Sequence, residues 1–314
     1  MSAPPPRVTA VTAVLLVGLM ALTGCGTGVW PAADQTAPHP LRLVASFYPL
    51  QWVTERVAGA DVVSLTKPGV EPHDLELTPR DVARVETADL VVYLSGFQPA
   101  VDAAVAQEAD GHALDVAPAA RLDLVLTADH TERTGTPGPE AGRDPHFWLD
   151  PTRLADVADA VATRLAALRP DQAAGYRARA AAVRADLTAL DRDFRAGLAH
   201  CASRELVTSH AAFGYLARRY DLTQVGITGL NPEAEPRPAD LARIATHVRA
   251  HDVRTVYGET LASPAVAAAL ARETGARTAV LDPLEGLTDA SRGTDYLSVM
   301  RANMRALQEG QPCR

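Results

Sequence analysis

Residues 170–199 read PDQAAGYRARAAAVRADLTALDRDFRAGLA. Pro170 suits the first turn of a helix, where its missing N–H has no intrahelical partner to lose. No further proline follows in the stretch, and Gly175 is the one glycine before Gly197. Val183, Leu187, Leu190, Phe194 and Leu198 recur at spacings of three or four, so they fall on one apolar stripe. A helix of about 30 residues would measure about 45 Å. The strand-free region begins earlier, at Asp150, where Pro151 suits a helical first turn of its own.

On either side of this region the pattern changes. Short β-rich runs recur at Leu41–Phe47, Val62–Thr66, Leu90–Leu94, Leu122–Leu126, Glu205–Thr208, Gln224–Ile227, Arg254–Tyr257 and Thr278–Leu281, most of them separated by helical stretches. Such alternation builds βα units and parallel sheets. A near-continuous apolar run such as Leu90-Val91-Val92-Tyr93-Leu94 fits a sheet covered on both faces. The expectation is an α/β fold of two lobes, each a parallel sheet flanked by helices, joined by one long backbone helix. The expected boundaries are 41–168 for the first lobe, 169–200 for the linking helix and 201–314 for the second lobe. The alternative is a long surface helix within one domain.

Composition supports a folded chain and excludes some partners. Of 314 residues, 47% are hydrophobic and 22% charged, which excludes a disordered, solvating chain. Aromatics are 5%, so Ala, Val and Leu must fill the core. The formal net charge is −8, which argues against nucleic acid as a partner. Lys67 is the only lysine among 30 basic residues, a sign of genomic base bias rather than of phosphate-binding forks.

The N-terminus carries a targeting pattern. Arg7 precedes an apolar run from Val8 to Leu22. That run is shorter than the about 20 residues needed to span a bilayer. It ends in Leu22-Thr23-Gly24-Cys25, which resembles the lipobox of bacterial lipoproteins. The resemblance implies a signal peptide over 1–24, lipidation of Cys25 and a flexible tether over 25–40, on the outer face of the cell membrane. An ordinary secretory signal is the alternative. Two cysteines remain, Cys201 and Cys313. Thiols outside the cytoplasm tend to oxidise, so a disulfide between them is expected, with two buried free thiols as the alternative.

In parallel sheets, ligands bind beyond the C-terminal ends of strands. Those positions hold Lys67 to Pro79 with His73, Arg143 to Pro151 with His146, Ser209-His210, Gly258-Glu259-Thr260 and Asp282-Pro283. A loop histidine is usually a solvated or capping side chain. His39, His112, His130, His200, His247 and His251 are read that way. His73 and His146 each follow a proline, which stiffens the backbone, and His210 ends a strand. Neutral imidazoles with one carboxylate make a four-coordinate shell that suits zinc.

Five segments then carry a family resemblance. They are Ala45-Ser46-Phe47-Tyr48-Pro49-Leu50, Glu71-Pro72-His73-Asp74-Leu75-Glu76-Leu77-Thr78-Pro79, Asp144-Pro145-His146-Phe147-Trp148-Leu149-Asp150-Pro151, Ser209-His210-Ala211-Ala212-Phe213-Gly214-Tyr215 and Leu281-Asp282-Pro283-Leu284. They resemble the ZnuA-like, cluster A-I solute-binding lipoproteins of zinc and manganese ABC transporters, from about Leu41 to the end. The resemblance implies a metal held between two lobes. It places His73 and His146 as the ligands of the first lobe, with His210 and Asp282 as those of the second. Glu259 is expected to orient a histidine from outside the ligand set. A histidine at the third position goes with zinc in this family, and three imidazoles with one carboxylate favour zinc over oxygen-loving manganese. One departure is that the stretch 128–144, histidine-rich in many zinc-specific relatives, holds only His130. That weakens a scavenging role for the loop and keeps manganese as runner-up.

The function so implied is capture of zinc outside the membrane by a monomer and delivery to an ABC-type permease, with no enzymatic activity. A manganese or iron carrier of the same class is the nearest alternative. An extracytoplasmic zinc hydrolase is the rival from another class. Against it, no His-Glu-x-x-His helix motif occurs, and Glu259 is the only obvious general base.

Overall fold

The computed structural model describes residues 39–127, 142–314 and the backbone of 132–134. The expected signal peptide, Cys25, nearly all of the tether and most of the stretch 128–144, His130 included, lie outside the described residues.

The first lobe runs β1 (Leu43–Ala45), α1 (Tyr48–Ala58), β2 (Val63–Ser64), α2 (Pro79–Thr87), β3 (Leu90–Tyr93), α3 (Pro99–Glu108), β4 (Ala113–Asp115), α4 (Ala117–Ala120), β5 (Leu124–Leu126) and β6 (Glu132–Thr134). Two long helices follow, α5 (Pro151–Leu168) and α6 (Ala173–Gly197). The second lobe runs β7 (Glu205–Thr208), α7 (Gly214–Arg219), β8 (Thr223–Gly226), α8 (Pro238–Ala250), β9 (Thr255–Gly258), α9 (Ala265–Thr274), β10 (Arg277–Val280) and α10 (Tyr296–Gly310). The first sheet has the order β2-β1-β3-β4 and the second β10-β9-β7-β8, each parallel throughout.

The two-residue period of a strand divides each lobe into an inner and an outer layer. In β3, Leu90 and Val92 join the main core while Val91 packs outward with Val85 and Val101. In β7 and β9, Leu206 and Tyr257 face the same main core, and Val207 and Val256 pack outward with Ile244 and Leu270. Both faces of each sheet are thus covered, as the apolar strands require.

The stripe read from the sequence joins the lobes. Tyr176, Ala180, Val183, Leu187, Leu190 and Phe194 form the buried face of α6, which packs against α5, α1 and α10. The same core cluster takes in Phe47 and Trp148 from the first lobe and Phe213 and Tyr296 from the second. Each large apolar side chain buried there contributes about 1.5–3 kcal/mol. Arg179 of α6 donates to the carbonyls of Val57 and Ala58 at 2.7 and 2.8 Å, satisfying the open end of α1. Gly59 turns the chain there at φ 67°, the left-handed region glycine tolerates best, directly under the Arg179 side chain.

Three local expectations differ from the structure. The linking helix has 25 residues, about 37 Å, because Pro170–Gln172 form a separate 3-10 turn before it. The run Leu122–Leu126 is not a strand of the parallel sheet: Leu124–Leu126 pair antiparallel with Glu132–Thr134. The fourth strand of the first sheet is instead Ala113–Asp115, a half-buried edge strand too short and too mixed to show an apolar run.

Cys201 and Cys313 form a disulfide across 112 residues of sequence. It ties the tail beyond α10 to the start of the second lobe. Closing so long a loop restricts the unfolded chain, and removing such a bond costs about 2–5 kcal/mol. Replacing both cysteines by serine is therefore expected to lower the Tm of the metal-free protein by roughly 5–15 °C. Thermal unfolding of parent and variant checks this, and equal midpoints would sink it.

Candidate metal centre

His73 follows β2 in a loop held from the first sheet. Thr66 donates to the Ser46 carbonyl at 2.8 Å, and Gln98 donates to the Thr66 hydroxyl and the Pro72 carbonyl at 3.0 and 3.2 Å. The His73 amide donates to Glu71 Oε1 at 2.7 Å. His146 sits just before the short 3-10 turn Phe147–Leu149. Asp144 accepts from its amide at 2.8 Å and faces its Nδ1 at 2.7 Å. His210 lies beyond the end of β7, with its carbonyl bound by Thr208 and Gln224. Glu259, at the end of the neighbouring β9, accepts from the His210 amide at 3.0 Å and faces His210 Nδ1 at 2.6 Å.

These arrangements spend the Nδ1 side of His146 and of His210 on a carboxylate. In the neutral ring the Nε2 side then carries the lone pair, and it faces the cluster. His73 Nε2 and His146 Nε2 lie 3.3 Å apart. Glu285 Oε1 sits 3.0 Å from each of them and 3.5 Å from His210 Nε2. One ligand atom from each of His73, His146, His210 and Glu285 lies within 4.8 Å of all the others, the one such group of three or more among the described residues. Phe97 packs edge-on against His73, with ring centroids 4.7 Å apart, and Trp148 against His146 at 5.2 Å. Their apolar rings wall the cluster.

The fourth member corrects the expectation for Asp282. Asp282 lies outside the cluster and shapes the loop that carries Glu285. Its Oδ1 accepts from the Leu284 amide at 2.8 Å and its Oδ2 from Ser291 at 2.6 Å. Asn303 of α10 clips its backbone with two bonds, at 2.9 and 2.7 Å. Leu284 then turns at φ 59°, and the next side chain, Glu285, faces the histidines. The segment that carries the family resemblance ends at Leu284, one residue short of Glu285. A second carboxylate three residues beyond Asp282 was the available signal. Asp144 and Glu71 were inside quoted segments but received no role, and Asn303 carried no signal at all. Glu259 lies against His210.

Burial works against a charged His210, but the Glu259 carboxylate outweighs it and holds the imidazole well above its ordinary value. Burial likewise opposes charge on His146, and Asp144 with Glu285 raises it. Burial pushes His73 down, with Glu285 offsetting part of the effect. Burial would raise Glu285, but hydrogen bonds with His146 and His73 and the nearby charge of His210 hold it well below the usual carboxylate range. Glu71 is pushed up to about 8, by burial first and then by the Glu285 charge. Burial raises Asp282, against its hydrogen bonds from Ser291 and Leu284.

The chain is similar to known proteins over nearly its whole described length. A family model described as zinc-uptake complex component A periplasmic (ZnuA) matches residues 43–310. The high-affinity zinc uptake system protein ZnuA of Bacillus subtilis is 33% identical over 304 residues, 94% of this chain and 95% of that protein. The zinc-binding lipoprotein AdcA of Streptococcus pneumoniae is 36% identical over 284 residues, 88% of this chain but 57% of AdcA, so the chain spans little more than half of that relative. The crystal structure of the Zn(II)-bound ZnuA-like domain of S. pneumoniae AdcA superposes with a TM-score of 0.70 and 34% identity, covering 86% of this chain and 98% of the domain. The chain is a member of the ZnuA family of solute-binding transporter components.

Proposed function

We propose that this protein captures zinc between its two lobes and hands it to an ABC-type permease. The observation that carries the reading is the convergence of three imidazole Nε2 atoms and one carboxylate oxygen within 4.8 Å. His210 Nε2 and Glu285 Oε2 are buried there without a hydrogen-bond partner, a state that costs free energy unless a cation takes the lone pairs. Three nitrogens and one oxygen suit a tetrahedral zinc shell, whereas manganese prefers oxygen. The hydrogen bonds that the His146 and His210 Nδ1–H groups donate to Asp144 and Glu259 raise the basicity of the imidazoles and fix their orientation.

Four protein donors leave no open position for an activated water, which weighs against a hydrolase. Glu259, the base offered by the strand-end pattern, has both oxygens engaged by Ser209 and His210. The protein on this reading is a monomeric carrier without enzymatic activity. A signal peptide over 1–24, lipid on Cys25 and a tether over 25–40 would hold it at the outer face of the membrane. The lobes over 41–168 and 201–314 would then move on the helix of 169–200 to release the metal.

Calorimetric titration of the purified protein tests the cargo. We expect one zinc per chain, and displacement of bound manganese by equimolar zinc. Retention of manganese under those conditions would reassign the cargo, and no zinc binding would end the reading.

A further inference from the structure

Trp148 stands two residues beyond His146, in the first lobe. Its ring is wedged among Phe47, Phe97 and Phe147, with centroid distances of 4.8, 5.6 and 5.8 Å. The side chain is fully buried, so its orientation is fixed by packing. Its one polar group, the indole N–H, points out of the lobe and donates to the Pro283 carbonyl at 2.7 Å. Pro283 belongs to the second lobe and lies between Asp282, which shapes the loop, and Glu285, which reaches the histidines. The backbone behind the indole is held from the same side. Tyr296 at the start of α10 donates to the Trp148 carbonyl at 2.6 Å. One residue thus links the segment carrying His146 to the loop carrying Glu285.

We propose that the Trp148 indole N–H is a latch between the lobes, a positioning group that holds the Glu285 loop over His73 and His146 and sets the lifetime of bound zinc. The proposal rests on the zinc-capture reading. Asp282, Ser291 and Asn303 define the shape of the loop within the second lobe, whereas Trp148 fixes its place against the first. Opening the cleft must break the Trp148 bond, and it leaves a buried carbonyl unpaired unless water reaches it. Loss of the donor lowers that barrier to opening. Capture, in which zinc first meets the two histidines of one lobe, depends on it far less.

The test is zinc dissociation into excess chelator, followed by stopped flow on the full-length protein. In one variant Trp148 is replaced by benzothienylalanine, which keeps the ring shape and lacks the N–H. The expected result is one zinc per chain, dissociation about tenfold faster and association changed by less than about threefold, the difference in affinity lying in the off-rate. Trp148→Phe should show the same acceleration. Phe147→Leu disturbs the same core while leaving the indole bond to Pro283 in place, and its dissociation rate should match the parent. Dissociation of the benzothienyl variant within about twofold of the parent overturns the latch. So does equal acceleration in Phe147→Leu and Trp148→Phe, which would make the effect one of packing. Titration of the parent judges the underlying reading separately: a parent that takes up no zinc overturns capture and the latch with it.

Discussion

Glu285→Ala lowers zinc affinity by about a hundred- to a thousandfold, and Asp282→Asn lowers it much less. Four-ligand zinc sites bind with about 10–16 kcal/mol, so one donor accounts for about 3–4 kcal/mol, or roughly two to three decades in Kd. Glu285 Oε1 is the atom common to all three histidine contacts. Its loss removes the one anionic donor and leaves three buried imidazoles facing one another. Asp282 makes no contact within the cluster, and its asparagine variant keeps an acceptor for the Leu284 amide. What Asp282→Asn loses is positional, on the scale of about 10–100-fold seen when groups behind a metal ligand are removed. His210→Ala should match Glu285→Ala, and Glu259→Gln should match Asp282→Asn. Competition titration against a chelator of known affinity measures all four. If Asp282→Asn cost as much as Glu285→Ala, Asp282 would be a ligand in the bound state and the loop would have to rearrange on binding.

The contrast between these two acids shows how far the sequence reached. His73, His146 and His210 could be picked out because each stands at a strand end or behind a proline, local features visible in one dimension. The long linking helix was legible for the same reason, since its stripe repeats every three or four residues. The fourth donor was not, because its position depends on a left-handed turn at Leu284 and on Asn303, which arrives from α10 about 20 residues later. An Asp-Pro pair beyond a strand is a strong local signal for a site and an equally strong one for a turn. Here Asp282 makes the turn, and Glu285, three residues on, makes the contact. The edge strand Ala113–Asp115 is illegible in sequence on similar grounds. It is held by pairing with β3, not by an apolar pattern of its own. Asp144 gives no signal in one dimension, because its role exists only once the chain folds its carboxylate back onto His146 two residues later.

Zinc affinity falls steeply as pH drops, and the fall begins above the ordinary imidazole range near about 6.5. In the metal-free protein His146 and His210 hold their protons to higher pH than usual, through Asp144 and Glu259 respectively, against the opposing effect of burial. Zinc requires these imidazoles deprotonated, so it must displace the protons. A raised pKa in the free state therefore costs affinity at every pH below it, and the loss grows as pH falls. With two imidazoles protonated, affinity declines by up to about two decades per pH unit. His73, lowered by burial, joins only at lower pH, and Glu285, held low by its imidazole partners, stays ionised throughout this range. Glu71, raised to about 8 beside the cluster, gives up a further proton as the metal charge arrives. The signs for the two states are opposite. A raised imidazole stabilises the metal-free fold below its unfolded pKa, and that contribution is lost as pH rises through the folded value. Zinc stabilises the fold on the alkaline side, where it binds. The increase in Tm produced by zinc should accordingly be large at pH about 8 and shrink toward zero at pH about 5. Calorimetry in buffers of different ionisation enthalpy counts the protons released on binding. A count near zero at neutral pH, with an affinity flat from pH about 8 to about 6, would show that the imidazoles are already neutral in the free protein.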